Sequence, residues 1–579
     1  MDSDDFDETI FLLKDLKTVP DIVHNYTTKD QKAPLIIDNG SFQSRVGFAT
    51  HKKPQLIFRN LVAKPRKDRN KKEQKEEVQN VQPQTLIGND IVNIEAMRFQ
   101  LRTQFDRNIV THFYLQEQIF DYIFKHLGVN TAGAVNHPIV VTEAAVNPNY
   151  CRSLMSELLF ECYQVPAVCY GIDSLFSYSF NDNQNGTALI ISIGYQTTHV
   201  IPYIDGKQIA DKIRRINVGG CNVITYMHRL LQLKYPSHVN NITISRIEEL
   251  FHEHTSIAYD YKESLKQWAS HEFYEKNIRK IQLPFIRIEK IKQKMQQVEI
   301  GAPVEEKPIA TIPQPPPDKT LEQWLTETRE KKNAILDKKQ IRRQRRSDLA
   351  KRRTAAAQER MRIISKLAGK EKGTDDFGMK DSDWDVYKAI SREQDSDSEV
   401  ENERLLEYDD ILRHHDPFLD SDEPIKMGMA EYHQLHYGVE AIRATEVLFQ
   451  PSMIGVGEAG LAECIDYVLK LFPADDQQKL VNNLFLTGGV SKIPGLIDRL
   501  NKELLEMRPF QSTFGVKIAK DPSLDAWNGA RKFAANASNL QKHQITRVDY
   551  YEKGGEYIKE YFASNVFFPT PAGEKLDAV

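Results

Sequence analysis

The chain has 579 residues, with 77 Lys and Arg against 81 Asp and Glu and a hydrophobic fraction of 40%. That is ordinary globular composition, long enough for several domains or one large bilobed one, and its bulk charge names no partner. Five scattered cysteines without paired spacing argue against a disulfide framework or a zinc site and point to a reducing compartment, while the acidic start MDSDDFDETIFLLKDL and the lack of any membrane-length apolar run predict an intracellular protein with no membrane association.

Residues 1–33 read as an N-terminal tail. From 34 to 284 apolar strands alternate with amphipathic helices, which predicts α/β layers and the first part of a folded core. Within it, PLIIDNGSFQSRVGFAT (34–50) reads as a strand, an Asn-Gly turn and a return strand. Such a turn exposes backbone N–H groups and one hydroxyl, and Asp38 is placed to hold a metal through water, although an ordinary hairpin turn is an equal reading of the match alone. A second hairpin, ALIISIGYQTTHVIP (188–202), has the same form but contains no carboxylate.

Between 285 and 428 apolar residues thin out, prolines cluster in PIATIPQPPPDKT, and charge separates into two blocks, which predicts an insert. Thr320-Leu321-Glu322-Gln323 fits a helix-starting capping box, and a long helix is expected after it. Lys331 to Lys372 holds sixteen basic residues against four acids, and Asp381 to Glu423 holds sixteen acids against four bases. From 429 to 579 the α/β pattern resumes, with NNLFLTGGVSKIPG and the Trp527-Asn528-Gly529-Ala530 element. The core is therefore one fold interrupted in its second half.

In chain order these pieces, together with VTEAAVNPN, RRINVGGCNVITYMHRLL and ATEVLFQPSMIGVGEAGLAECI, resemble the actin superfamily over 34–284 and 430–571. The resemblance implies an actin-like bilobed α/β fold, with duplicated five-stranded sheets and helices around a nucleotide cleft where two phosphate hairpins face each other. Residue by residue, it makes Asp38, Asn39, Gly40, Ser41, Arg45, Gly194, Gly219, Gly220, Gly488, Gly489 and Lys492 the candidate nucleotide-binding set. Several positions depart from the pattern. Phe42 stands where a glycine is expected, Arg45 replaces a lysine, Ser192 replaces the metal-side aspartate, and Tyr195 and Gln196 flank the second turn. Asp173 takes the place of the glutamine that arranges attacking water, and His199, without a neighbouring carboxylate, reads as a packed core histidine. Phe251 and His252 sit where polar clamp residues are expected. This set leaves room for a structural ATP or ADP, or for none, with no metal or catalytic residue, and argues against turnover.

The departures and the mid-chain insert look like a nuclear class of actin relatives found in the INO-eighty type of chromatin-remodelling complex. That likeness implies nuclear localisation, roles in nucleosome sliding, transcription regulation, DNA recombination and DNA repair, and partners comprising a remodeller motor ATPase, a small dedicated subunit and RuvB-like ATPases. The basic block fits nucleic-acid phosphate or an acidic histone face, with Arg342, Arg343, Arg345, Arg346, Arg352 and Arg353 as the candidate DNA- and nucleosome-binding residues. Aromatics are nearly absent from the block, so single-strand stacking fits poorly. A solvated rod carrying a nuclear localisation signal is the plainer alternative. Ser396 and Ser398, in the acidic block, are candidate phosphorylation points. Two functions follow: a non-catalytic scaffold that grips the nucleosome, which is preferred, or a nucleotide-switching or filament-forming ATPase, which the altered hairpins and the insert oppose.

Overall fold

The computed structural model of the protein describes residues 10–13, 17–63, 85–94, 101–181, 186–284, 321–350 and 429–555, with 401, 404, 405, 408, 412 and 565 singly. The chain divides into two compact units, one formed by Met1–Lys280 with His436–Val579 and the other by Ile281–Leu435.

The first unit is built on two mixed sheets. In the first sheet, β1 (Leu35–Asn39), β2 (Gln43–Phe48) and β3 (Leu56–Arg59) run antiparallel in sequence, β4 (Ile139–Glu143) lies parallel to β1, β5 (Ala167–Ile172) parallel to β4, and the short β12 (Ile545–Thr546) closes the edge. Strand alternation divides its side chains between two cores. Leu35 and Ile37 pack with Ile119, Ile123 and Phe124 of helix α1 (Phe113–His126), whereas Ile36 and Val140 point the other way, toward Trp527 and Ala530. Each fully buried side chain of this size contributes roughly 1.5–3 kcal/mol relative to exposure, so a one-residue slip in β1 would exchange both cores at once.

The second sheet has the order β8 (Lys207–Gln208), β7 (Thr198–Ile204), β6 (Ala188–Ile193), β10 (Leu484–Thr487) and β11 (Val516–Ile518), with β9 (Arg214–Ile216) also paired to β7. β12 and β9 are each one strand beyond the five expected per sheet. Two crossovers join the sheets: β5 leads through α2 (Asp173–Asn181) into β6, and β11 leads through α8 (Asp525–Ala535) into β12. These helices lie against each other and share a hydrogen bond from Asn181 Nδ2 to Asp525 Oδ2 of 2.8 Å. Helix α3 (Gly220–Lys234) follows the second sheet's first strands and packs on α4 (Ile244–His254), while α7 (Leu496–Met507) follows β10 and lies against α6 (Leu461–Lys470).

The acidic, polar N-terminal segment contains no core pattern, yet residues 17–33 run as a strap along this unit. Thr18 Oγ1 donates to the Ile91 carbonyl (2.5 Å), Asp21 accepts from Tyr122 Oη (2.7 Å), and Asp30 is buried, accepting from Thr50 Oγ1 (2.8 Å). Scattered polar side chains and backbone hydrogen bonds, such as His24 N to the His126 carbonyl (2.7 Å), rather than apolar periodicity, hold it.

In the second unit the predicted long helix is present as α5 (Leu321–Ala350), beginning where the capping box places it. Leu325 and Trp324 pack with Tyr408 and Leu412. Beyond the buried Thr328 no residue from Arg329 to Ile341 is buried. Burial therefore ends within two turns, and Leu336 and Ile341, large apolar side chains that follow, are exposed.

Candidate functional site: the cleft between two hairpins

A cleft of about 430 Å³ lies in the first unit. Its walls include Asp38, Gly40, Ser41, Phe42 and Arg45 of the first hairpin, Ser192, Gly194, Tyr195, Thr197 and His199 of the second, Gly220 of α3, Glu248, Phe251 and His252 of α4, and Gly488, Gly489, Lys492 and Ile493 after β10. The structure thus brings most of the sequence-derived nucleotide set together. Asn39 lines a neighbouring, smaller cavity instead, and its side chain bonds Gln116 (3.0 Å) and Ser44 (3.2 Å). Gly219 is not among the lining residues.

In the first hairpin Asp38 is buried and already partnered. Its Oδ2 accepts from Arg45 Nη1 at 3.2 Å, across the β1–β2 register, and its Oδ1 accepts from Thr142 Oγ1 at 2.8 Å. Arg45 is the residue expected to meet phosphate, so its charge is spent on the carboxylate expected to hold metal. On the far wall Lys492 pairs with Asp521 at 2.9 Å.

The second hairpin is satisfied by protein in the same way. At a helix start the first N–H groups are the usual anion donors. Here Gly220 N donates to the Gly194 carbonyl (3.1 Å) and Cys221 N to the Tyr195 carbonyl (2.7 Å). A Cβ on Gly219 would stand 2.6 Å from the Tyr195 carbonyl oxygen, and one on Gly488, at φ +91°, 2.3 Å from that of Ile193. These two glycines are required by backbone meeting backbone. Gly489 differs: a Cβ there meets nothing nearer than Ser523 Oγ at 3.9 Å.

Between the hairpins, the ring of Phe42 lies 4.9 Å from that of Tyr195. The guanidinium carbon of Arg59, at the end of β3, stands 4.8 Å over the Phe42 ring, and Arg59 Nη2 reaches both carboxylate oxygens of Glu248 at 2.9 and 2.8 Å. Arg59, Glu248 and Thr142 were not legible as site residues: Arg59 and Glu248 are 189 positions apart, and no local pattern joins them.

Two titratable groups line the cleft floor. Burial, with the nearby Asp38 carboxylate, pushes Asp173 up to about 7. Burial, with Arg215, pushes His199 down to about 3, so it is neutral, and its Nε2 has no hydrogen-bond partner among the described residues. Among the described residues no cluster of three His, Cys, Asp or Glu side chains could hold a metal ion. The residues present do not fit a metal-bound triphosphate. Both lining cations are paired with acids, the helix N–H groups are bonded within the protein, Ser192 brings no charge, and two aromatic rings meet between the phosphate hairpins.

Two mixed sheets joined by paired crossover helices, with facing hairpins at a cleft, are the arrangement of actin, and the family model described as Actin matches residues 29–563. The chain belongs to the actin family, in the group of proteins named Actin-related protein 5. It is 44% identical to Actin-related protein 5 of Drosophila melanogaster, covering 93% of this chain and 99% of that protein. It is 41% identical to the Gallus gallus protein of the same name and 40% to the Homo sapiens one, in each case over 97% of this chain and 94% of the relative.

The candidate arginines of the insert divide. Arg342, Arg343, Arg345 and Arg346 fall on α5. Arg352, Arg353, Ser396 and Ser398 lie outside the described residues.

Proposed function

We propose that this chain is a non-catalytic actin-fold subunit of a nuclear, ATP-dependent chromatin-remodelling complex of the INO-eighty type, acting in nucleosome sliding, transcription regulation, DNA recombination and DNA repair. The first unit serves as scaffold, and the basic segment that starts on α5 grips nucleosomal DNA or histone. The observation that carries this reading is the helix itself: after Thr328 no residue through Ile341 is fully buried, and the sixteen-base block begins on that run. A helical run without a fully buried apolar side chain and dense in Lys and Arg has charge as its means of attachment. Hydrolysis is assigned to a separate motor ATPase, with a small dedicated subunit and RuvB-like ATPases as further partners. The cleft is assigned no turnover, and of the two readings, a structural ATP or ADP or none, the pairing of Asp38 with Arg45 and of Lys492 with Asp521 favours none.

Deleting Lys331 to Lys372 tests the grip. Nucleosome affinity is expected to fall and the dependence of log K on log salt to become shallower, by about 0.9 for each DNA phosphate that the deletion leaves unneutralised, with the first unit's thermal unfolding unchanged. Equal affinity and equal salt slope would remove the basis of the reading.

A further inference from the structure

In the first unit the sheets are connected by α2 and α8, which lie together as one paired crossover. Phe42 and Arg59 come from the first sheet, at the β1–β2 turn and the end of β3. Tyr195 comes from the second sheet's β6–β7 turn, and Glu248 from α4, which packs on the α3 helix whose first N–H groups bond that same turn.

These four residues form one continuous chain of contacts. Glu248 holds Arg59 through two hydrogen bonds of 2.9 and 2.8 Å, Arg59 lies 4.8 Å over Phe42, and Phe42 lies 4.9 Å from Tyr195. The ion pair is largely dry, with side-chain exposures of 13% for Arg59 and 7% for Glu248. Among the described residues Arg59 Nε and Nη1 have no hydrogen-bond acceptor, and the aromatic face beneath is the guanidinium's second partner. Buried, doubly bonded carboxylate–guanidinium pairs and desolvated cation–π contacts are strongly coupled to their surroundings, and removing one member leaves the other uncompensated.

We propose that Arg59, Glu248, Phe42 and Tyr195 are a clasp built into the chain that ties the two sides of the cleft together at its phosphate end, taking the joining role that a bound nucleotide would have, so that closure of this unit is independent of nucleotide. The clasp uses residues at the positions where the hairpins depart from a phosphate-binding pattern. Phe42 and Tyr195 replace small or acidic turn residues with rings that reach each other. Glu248, on the far wall, supplies the acid for Arg59 rather than a contact for a ligand.

The test uses the full chain. Protein stripped of nucleotide with EDTA and charcoal is expected to melt within 1 °C (about the precision of a melting scan) of untreated protein, and addition of ATP with magnesium is expected to leave Tm unchanged, since any ligand that binds the native state at concentrations well above its Kd must raise it. A loss of cooperative melting on stripping, or a rise of several degrees with ATP, would overturn the proposal. Arg59→Met and Glu248→Gln are each expected to lower Tm by roughly 5 °C or more, and the double variant by clearly less than the sum. Additive effects would show that the two residues do not act together and would equally overturn it. Should either variant fail to fold, Phe42→Leu, which stays apolar but removes the ring face, gives the same reading: faster proteolytic cleavage at the cleft hairpins is expected, and unchanged cleavage refutes the clasp.

Discussion

The ring of Phe42, in the first hairpin, stands 4.9 Å from the ring of Tyr195, in the second. Between turns of this kind the phosphates of a nucleotide would otherwise run, and phosphoryl transfer depends on positioning and metal charge at that point. Ser192 carries no charge there, and Asp38 is bonded to Arg45 and Thr142, which is the basis of the proposed lack of turnover. The purified chain is expected to release no phosphate from ATP above background in a magnesium buffer and to leave no pellet when centrifuged under polymerising conditions. Sustained turnover or a reproducible pellet would return the switching or filament reading.

Asp173 and His199 impose opposite pH dependences on the first unit. Asp173 keeps its proton up to about 7 in the folded protein against 3.8 ordinarily, so its contribution is full below about pH 4 and is lost as pH rises toward 7. His199 titrates at about 3 against 6.5, so its contribution is present above 6.5 and is lost as pH falls. In urea titrations Asp173→Asn is therefore expected to gain stability over the native chain as pH rises from 5 to 7, by up to about 1.4 kcal/mol per unit. His199→Gln is expected to gain as pH falls from 6.5 to 5. Reversed slopes would contradict the burial of these groups.

Arg499 on α7 anchors the loop regions around it. It meets Glu446 through two bonds of 3.0 Å, donates to the Ala258 carbonyl (3.2 Å) and to Glu503 (2.6 Å), and stacks 4.5 Å over Phe449. Arg499→Met leaves Glu446 buried without its partner and is expected to cost about 3–5 kcal/mol. Adding Glu446→Gln is expected to recover part of that stability in chemical denaturation, which a purely steric effect would not permit.

The packing of α2 on α8 rests on Gly529. A Cβ there would fall 2.0 Å from the Phe176 carbonyl oxygen, whereas one on Gly133 meets nothing within 4 Å. Gly529→Ala is expected to destabilise by at least about 1–3 kcal/mol, and Gly133→Ala to stay within about 0.5 kcal/mol of the native chain. Equal melting temperatures for the two variants would mean that the crossover helices are not closely packed.

What the sequence determined by itself was the layered core, the two hairpins, the helix start at Leu321 and the family, because each is written in short-range patterns: alternation, turn residues and motif order. Apolar alternation in β1 sorted Leu35 and Ile37 from Ile36, and the departures at Phe42, Ser192 and Tyr195 were visible as single positions. The strap at 17–33 was not legible, since isolated polar anchors such as Asp21 and Asp30 carry no period. Nor was the state of the cleft. Only the tertiary structure decided that Arg45 turns to Asp38, that Gly219 and Gly488 serve backbone contacts, and that Arg59 finds Glu248. Those outcomes depend on which charges and carbonyls arrive within about 3 Å of each other from distant parts of the chain, and such meetings are fixed by how two sheets pack, which no local pattern encodes.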